Sequence, residues 1–422
     1  MTAEQATNGH DDDILSGPEN YRYGTVITGP DFEAKKAVHG RRMIQQRILT
    51  HGKESLYNMT GLVRAFPLDA EDLPLLDSQM SFYAYFSGRA EELAIRHVGG
   101  DPRDHGAVMC NRVTSGVLAI MLGLLERDGR VLSVVPNGRS HPCVQQAVEL
   151  VGGKFYEVQG LAAYERALEK GPWSMVVITP MTPQKYHLPE ADVARVISLA
   201  KGDGIMVFTD DAHMASRAVF YDEPLSLALG DVDVTVWSLD KHVPGPRGAA
   251  VVAKKQLIER IQTQVFQFGL ESQSGHYVAG LRGMEAFDPE RIREAGRLAR
   301  QLMERLRPKY GDYAYQAGPG VAISAEDFGK IVLSRTNDQD TPMIAEEMSV
   351  AAAFIMLRDH GIVTIPITGY PGAAPTYRLM MHPDGGRLGI DNIEEAADNA
   401  VQCVADLLQS PDEVRSLLLG TG

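Results

Sequence analysis

Between about Asp104 and Ala253 the chain alternates short apolar runs with amphipathic stretches. The runs are AVMC (107–110), VLSVVP (131–136), MVVIT (175–179), IMVFT (205–209), VTVWS (234–238) and AAVVA (249–253). They are apolar at consecutive positions and rich in Val and Ile, the pattern of strands buried on both faces. The segments SGVLAIMLGLLER (115–127), PCVQQAVELVG (142–152) and EADVARVISLAKG (190–202) instead space their apolar residues at helical intervals. Strand–helix alternation of this kind predicts an α/β fold, a parallel sheet with helices on both faces. Ligands of such sheets bind at the carboxyl ends of the strands, so the residues following each run are the ones to read for chemistry.

The flanks differ. Residues 1 to about 25 read as a mobile tail, followed by a helical arm over DFEAKKAVHGRRMIQQRILTH (31–51) and an irregular stretch, SLYNMTGLVRAFPL (55–68). After about Pro289 comes a long charged helix, PERIREAGRLARQLMERLRPKYG. Strands are expected at GKIVLS (329–334), GIVTIPI (361–367) and TYRLMMH (376–382), and helices near 343–359 and 391–409. Three regions follow: a tail and arm (1–60), a large α/β domain (61–289) and a smaller α+β domain (290–422). A chain of 422 residues has room for such a core without disulfides or a structural metal.

The formal charge of −14 argues against a nucleic-acid partner, which needs clustered Lys and Arg. Cys110, Cys143 and Cys403 are odd in number and far apart, with no metal-ligand spacing, so neither a disulfide framework nor a metal site is expected. The polar, acidic N-terminus lacks a basic n-region and an apolar h-region, and no run of about 18 apolar residues occurs, so neither export nor membrane insertion is expected. The expectation is a soluble cytoplasmic protein.

Two segments carry the chemistry. In VTVWSLDKHVPGPRGAAVVAKK (234–255), Lys241 follows a buried strand, where desolvation can lower its pKa as a Schiff-base amine requires. In IMVFTDDAHMASR (205–217), a strand ends in two aspartates followed by Ala212 and His213. A carboxylate there can pair with a protonated pyridine nitrogen or simply cap the turn.

Together, Asp-x-Ala-His about thirty residues before Ser-x-x-Lys resembles the fold-type I pyridoxal 5'-phosphate (PLP) enzymes. DDAH is similar to the α-oxoamine synthases, and SLDKHVPGPRGAAVV to the lysine loop of the class V group, which includes the cysteine desulfurases. The resemblance implies a mostly parallel seven-stranded sheet flanked by helices and a smaller α+β C-terminal domain. It implies Lys241 as the internal aldimine lysine, Asp210 as the partner of the pyridinium nitrogen and His213 near the cofactor O3′. In this fold the first strand–helix turn holds the cofactor phosphate, which assigns Thr114, Ser115 and Gly116, with Ser238 as a further contact. His141 lies where related enzymes stack a ring on the pyridine. Arg139 beside it is either a substrate-anion ligand or a solvated side chain.

MTPQKYHLP (181–189) corresponds to the loop facing O3′ and substrate. Many aminotransferases carry Asn-Pro-x-Gly there, whereas this chain has Thr182, Pro183 and Gln184. FGLESQSGHYVAGLRGMEA (268–286) resembles the class V loop that reaches a neighbouring subunit's phosphate. Ser274 and Gly275 are the candidates, and a homodimer with active sites at its interface is implied. Arg378 in TYRLMMH matches an arginine that binds the substrate α-carboxylate in many fold-type I enzymes. Asn58-Met59-Thr60-Gly61 is a loose match to an Asn-Ala-x-Gly element of the selenocysteine synthase-like group, making Asn58 a further substrate candidate.

The reading is of a PLP-dependent enzyme on an amino acid substrate, with a lyase that removes the α-proton and eliminates a β- or γ-substituent placed first. The alternative is a class V-type aminotransferase. A desulfurase ranks below both, because no cysteine sits on a recognisable mobile loop and Cys403 falls on a helix pattern. A non-enzymatic regulator is disfavoured because no DNA-binding extension is visible, and a dead scaffold because Lys241 and Asp210 are both present.

Overall fold

A computed structural model describes residues 22–337, 339–369 and 375–420. The strands are β1 Tyr57–Asn58, β2 His105–Cys110, β3 Arg130–Val135, β4 Lys154–Gln159, β5 Met175–Ile178, β6 Met206–Asp210, β7 Val234–Ser238, β8 Ala249–Lys254, β9 Ala314–Gln316, β10 Gly320–Ile323, β11 Ile362–Val363 and β12 Tyr377–Met380. The chain divides into two compact units. One is Val63–Asp288, and the other joins the described parts of Glu19–Leu62 and Pro289–Gly422.

The first unit is built on a seven-stranded sheet of order β2-β8-β7-β6-β5-β3-β4. From β4 to β7 all neighbours are parallel, whereas β8 runs antiparallel to both β7 and β2. Every apolar run between 107 and 253 forms a strand of this sheet, but AAVVA, read as parallel, is the reversed one. Strand β4, KFYEVQ, escapes the apolar-run criterion because it is an edge, with exposed ends and only part of its length buried. Burial on both faces is visible within β5: Met175 and Val177 join one core cluster, Val176 and Ile178 the other. Helices Val113–Leu124, Pro142–Leu150 and Lys255–Gln267 pack through the first cluster, and Gly160–Leu168 and Glu190–Gly202 through the second.

The second unit contains an antiparallel sheet of order β12-β10-β9 and the short parallel pair β1–β11. Its core gathers Phe328, Phe354, Leu302 and Val401 from the helices Ala325–Leu333, Ala345–Ile355, Pro289–Tyr310 and Ile390–Asp406. Two expectations are corrected here. GKIVLS belongs to helix Ala325–Leu333, because Ser324 caps it by accepting from Asp327 N–H at 3.1 Å, and Phe328, Ile331 and Val332 fall on one buried face. GIVTIPI contributes only two strand residues before the chain turns into helix Ile365–Thr368. The tail expected to about residue 25 lies outside the described residues up to 21. From there the chain is held, with Arg22 bonded to Glu346 and Thr25 to the Pro342 carbonyl.

Candidate active site

Asp210 is the last residue of β6 and Lys241 lies three residues past β7, so adjacent parallel strands bring both to one rim of the sheet. Asp210 is buried, and its Oδ1 makes no hydrogen bond. Burial is the main cause raising its carboxyl to about 6. The charge of Asp211 adds to the rise, while Lys241 and the Ala212 N–H oppose it. Asp211, by contrast, is spent on structure: it accepts from Arg217 at 2.6 Å and from Ser226 at 2.8 Å. Of the two aspartates, only Asp210 keeps a buried oxygen in need of a donor.

The lysine loop is anchored on both sides. Asp240 accepts from Ser238 Oγ at 2.5 Å and from Arg64 at 3.2 Å. Ser238, expected as a further contact of the phosphate, has its hydroxyl directed at Asp240 in this structure. Gly245 and Gly283 meet where helix Ser274–Glu285 crosses the loop. A Cβ on Gly283 would lie 2.6 Å from the Gly245 Cα, so neither position has room for a side chain.

Helix Val113–Leu124 starts directly after β2, with Arg112 as N-cap. Its first N–H groups have no partner within the helix and carry the positive end of its dipole. Ser115 Oγ donates to Asn111 at 2.5 Å, so what Ser115 offers an anion is its backbone N–H, whereas Thr114 is exposed at the helix start. The Gly116 N–H bonds the Arg112 carbonyl, and a Cβ there would sit 2.7 Å from Val251, so glycine lets the helix pack closely on the sheet. Arg112 is exposed and has no carboxylate partner among the described residues, although its charge reaches His141.

His141 caps helix Pro142–Leu150, its Nδ1 accepting from Cys143 N–H at 3.1 Å. Burial, followed by the charges of Lys241 and Arg112, pushes it down to about 3, so the ring is neutral at physiological pH. Its loop is pinned by the buried Glu157 on β4, which accepts from Ser133 Oγ at 3.0 Å and Ser140 N–H at 3.2 Å. Arg139 pairs with Glu157 and donates to Gln145.

The loop after β5 closes through a Met181–His187 bridge and a Tyr186 N–H bond to Thr182 Oγ1. Thr182 is fully buried and Gln184 lies against Gly138. Lys185, at φ +72°, turns into the protein. It is 2% exposed, with Nζ 2.6 Å from His213 Nδ1. The loop is braced from below, because His187 stacks on Tyr221 at 3.8 Å and bonds Glu223 at 2.9 Å. Glu223 in turn pairs with Arg217 at 3.1 Å. Arg217→Met leaves two buried carboxylates without their cation and should cost about 3–5 kcal/mol, read as a lowered unfolding midpoint. An unchanged midpoint would mean the brace carries no stability.

The other candidates are carried by other elements. Ser274 opens helix Ser274–Glu285 and donates to Gln79 at 3.3 Å, and the Gly275 position abuts Phe66. Asn58 and Arg378 belong to the second unit. Arg378 is buried mid-strand opposite Ala322. The Asn58 amide is consumed locally: Nδ2 donates to the Leu62 carbonyl at 2.8 Å and Oδ1 accepts from Thr60 at 2.7 Å. Both bonds build the 58–62 turn.

Residues that sequence reasoning passed over are Arg112, Glu157, Asp240 and Lys185. Lys185 carried a signal, since it follows a buried apolar strand much as Lys241 does.

The fold is that of the fold-type I PLP enzymes. An aspartate aminotransferase from Thermotoga maritima matches over 86% of this chain and 97% of its own at a TM-score of 0.56 and 15% identity. A SepCysS–SepCysE N-terminal domain complex matches over 85% and 98% at 0.56 and 12%. Residues 314–388 match the UPF0425 C-terminal domain model. A UPF0425 pyridoxal phosphate-dependent protein of Methanothermobacter thermautotrophicus is 33% identical over 399 residues, 94% of this chain and 100% of the relative. The chain belongs to the UPF0425 family of pyridoxal phosphate-dependent proteins.

Proposed function

We propose that this chain holds PLP through Lys241 and acts as a lyase, removing the α-proton of an amino acid and eliminating a β- or γ-substituent. The observation that carries the cofactor reading is Asp210 Oδ1, a buried carboxylate oxygen without a donor at the strand end, within reach of the Lys241 charge. A protonated pyridine nitrogen is the donor that oxygen lacks. The neutral His141 ring offers a face for stacking, and Arg112 with the first N–H groups of helix Val113–Leu124 suits a phosphate dianion.

When bound, PLP supplies an electron sink for charge developing at the substrate Cα. The chain supplies the rest. Lys241 Nζ would hold the cofactor and would accept the proton from the substrate Cα. Asp210 would hold the ring-nitrogen proton, and its burial would make that pairing strong because water does not compete for it.

Elimination is favoured over transamination by the loop at 181–187, which lacks Asn-Pro-x-Gly and instead directs a buried lysine at His213. Purified protein supplied with PLP and β- or γ-substituted amino acids should release ammonia and an oxo acid catalytically. One equivalent of oxo acid with conversion of the cofactor to pyridoxamine phosphate would establish the aminotransferase instead.

A homodimer fits the exposed apolar side chains Phe66, Met80, Tyr83 and Tyr85, which lie on the segment that meets Ser274 and Gly275. A cytoplasmic location fits the three free cysteines. No helix of the described residues is long and apolar enough to cross a membrane.

A further inference from the structure

We propose that Arg64 is a substrate-binding residue that receives a carboxylate of the amino acid substrate beside the lysine loop. Lys241 enters here as the proposed function uses it, so the role of Arg64 deepens that reading and rests on it.

Asp240, the residue before Lys241, ties Arg64 to this loop through backbone and side chain. The Asp240 carbonyl accepts from Val63 N–H at 2.8 Å, and its Oδ2 accepts from Arg64 Nε at 3.2 Å. Its Oδ1 accepts from Ser238 Oγ at 2.5 Å, so the carboxylate is engaged at both oxygens. Arg64 sits at φ +50°, a left-handed backbone that a residue with a Cβ seldom adopts. Backbone strain of this kind clusters where a side chain is placed for use.

A guanidinium carries five N–H donors in a fixed fork. Nε of Arg64 is spent on Asp240, and among the described residues its Nη groups make no hydrogen bond. The Arg64 side chain is 32% exposed, whereas that of Asp240 is 7% exposed. One edge of the fork is thus fixed on a buried carboxylate, and the two Nη groups remain for an incoming acceptor. Two parallel N–H groups match the two oxygens of a carboxylate. Pairing with Asp240 orders the long side chain in advance, so binding forfeits less rotamer freedom. A lysine here would keep the charge but would have no second edge to divide between Asp240 and a ligand.

The test is calorimetric binding of propionate and succinate, carboxylates without an amine, to the PLP-loaded protein. Wild type should bind, and Arg64→Lys should bind at least about tenfold more weakly, the loss of one charge-assisted hydrogen bond. Weakening with both probes assigns Arg64 to the carboxylate that every amino acid carries. Weakening with succinate alone assigns it to a second carboxylate and makes the substrate a dicarboxylic amino acid. Equal affinities of the two proteins for both probes, or a wild type that binds neither, overturn the proposal. Wild type alone decides if the variant fails to fold. An arginine-directed dicarbonyl reagent should modify Arg64, located by peptide mass, and succinate should protect it. An Arg64 modified equally with and without succinate, or not modified at all, overturns the proposal. Protection is also read in the cofactor-free protein, so a protected Arg64 with no PLP on Lys241 defeats the reading of function instead, which keeps the two failures apart.

Discussion

Lys241→Ala is expected to abolish covalent retention of PLP and to reduce turnover by at least 10²–10⁴-fold, about the contribution of a positioned general base. The loss should not be one of folding, because Lys241 is only partly buried and its loop is anchored by Asp240 and by the Gly245–Gly283 contact. Its charge also acts on its neighbours, holding His141 down and restraining the rise of Asp210. In the variant, Asp210 should therefore titrate still higher and His141 should move back toward its ordinary range. A variant that keeps the cofactor through borohydride reduction and retains turnover would remove Lys241 from the chemistry.

Asp210→Asn is expected to divide stability from function. A carboxyl raised to about 6 in the folded protein binds its proton more tightly there than in the unfolded chain. Its stabilising contribution is present at low pH and is lost as pH rises through about 6. At pH 7 the cofactor-free protein thus bears a cost of about 3 kcal/mol for this ionised, buried group, at 1.36 kcal/mol per unit. Asparagine removes that cost, less what its own buried amide forfeits. The cofactor-free variant should be equal to or more stable than wild type at pH 7 by up to about 3 kcal/mol, with the difference disappearing near pH 4. His141 has the opposite sign: its lowered pKa makes stability fall as pH drops below about 6.5, but it is common to both proteins and cancels in the comparison. PLP binding should weaken at least tenfold, because a neutral amide cannot hold the ring-nitrogen proton as a carboxylate does. Thermal unfolding at several pH values and cofactor titration check both halves. A variant that is less stable without cofactor yet binds PLP normally would show that Asp210 is a structural residue.

The strands that position these residues were readable because burial on both faces leaves continuous apolar runs, and Lys241 and Asp210 follow such runs directly. Strand β4 was not, since an edge need be apolar only where it is covered. The helix at Ala325–Leu333 has a strand-like run, KIVL, and only its Ser324 cap and the spacing of Phe328, Ile331 and Val332 betray it. The choice between Asp210 and Asp211 depends on where Arg217 and Ser226 lie, which no local pattern encodes. Lys185 was overlooked because lysine is rarely buried. Its burial here follows from a left-handed backbone at φ +72° and from a histidine brought in by another strand. Asn58 and Gly116 show the converse. Motif position marked both, and the hydrogen bonds and packing each makes with residues a few positions or a strand away are not legible in the motif.

The most direct test is to load the wild-type protein with PLP, reduce it with borohydride, digest it and locate the pyridoxyl mass by peptide sequencing. Two buried or half-buried lysines stand at this rim of the sheet, Lys185 and Lys241, so the label must discriminate between them. The account predicts the adduct on Lys241 alone. An adduct on Lys185, or none on either lysine, would contradict it.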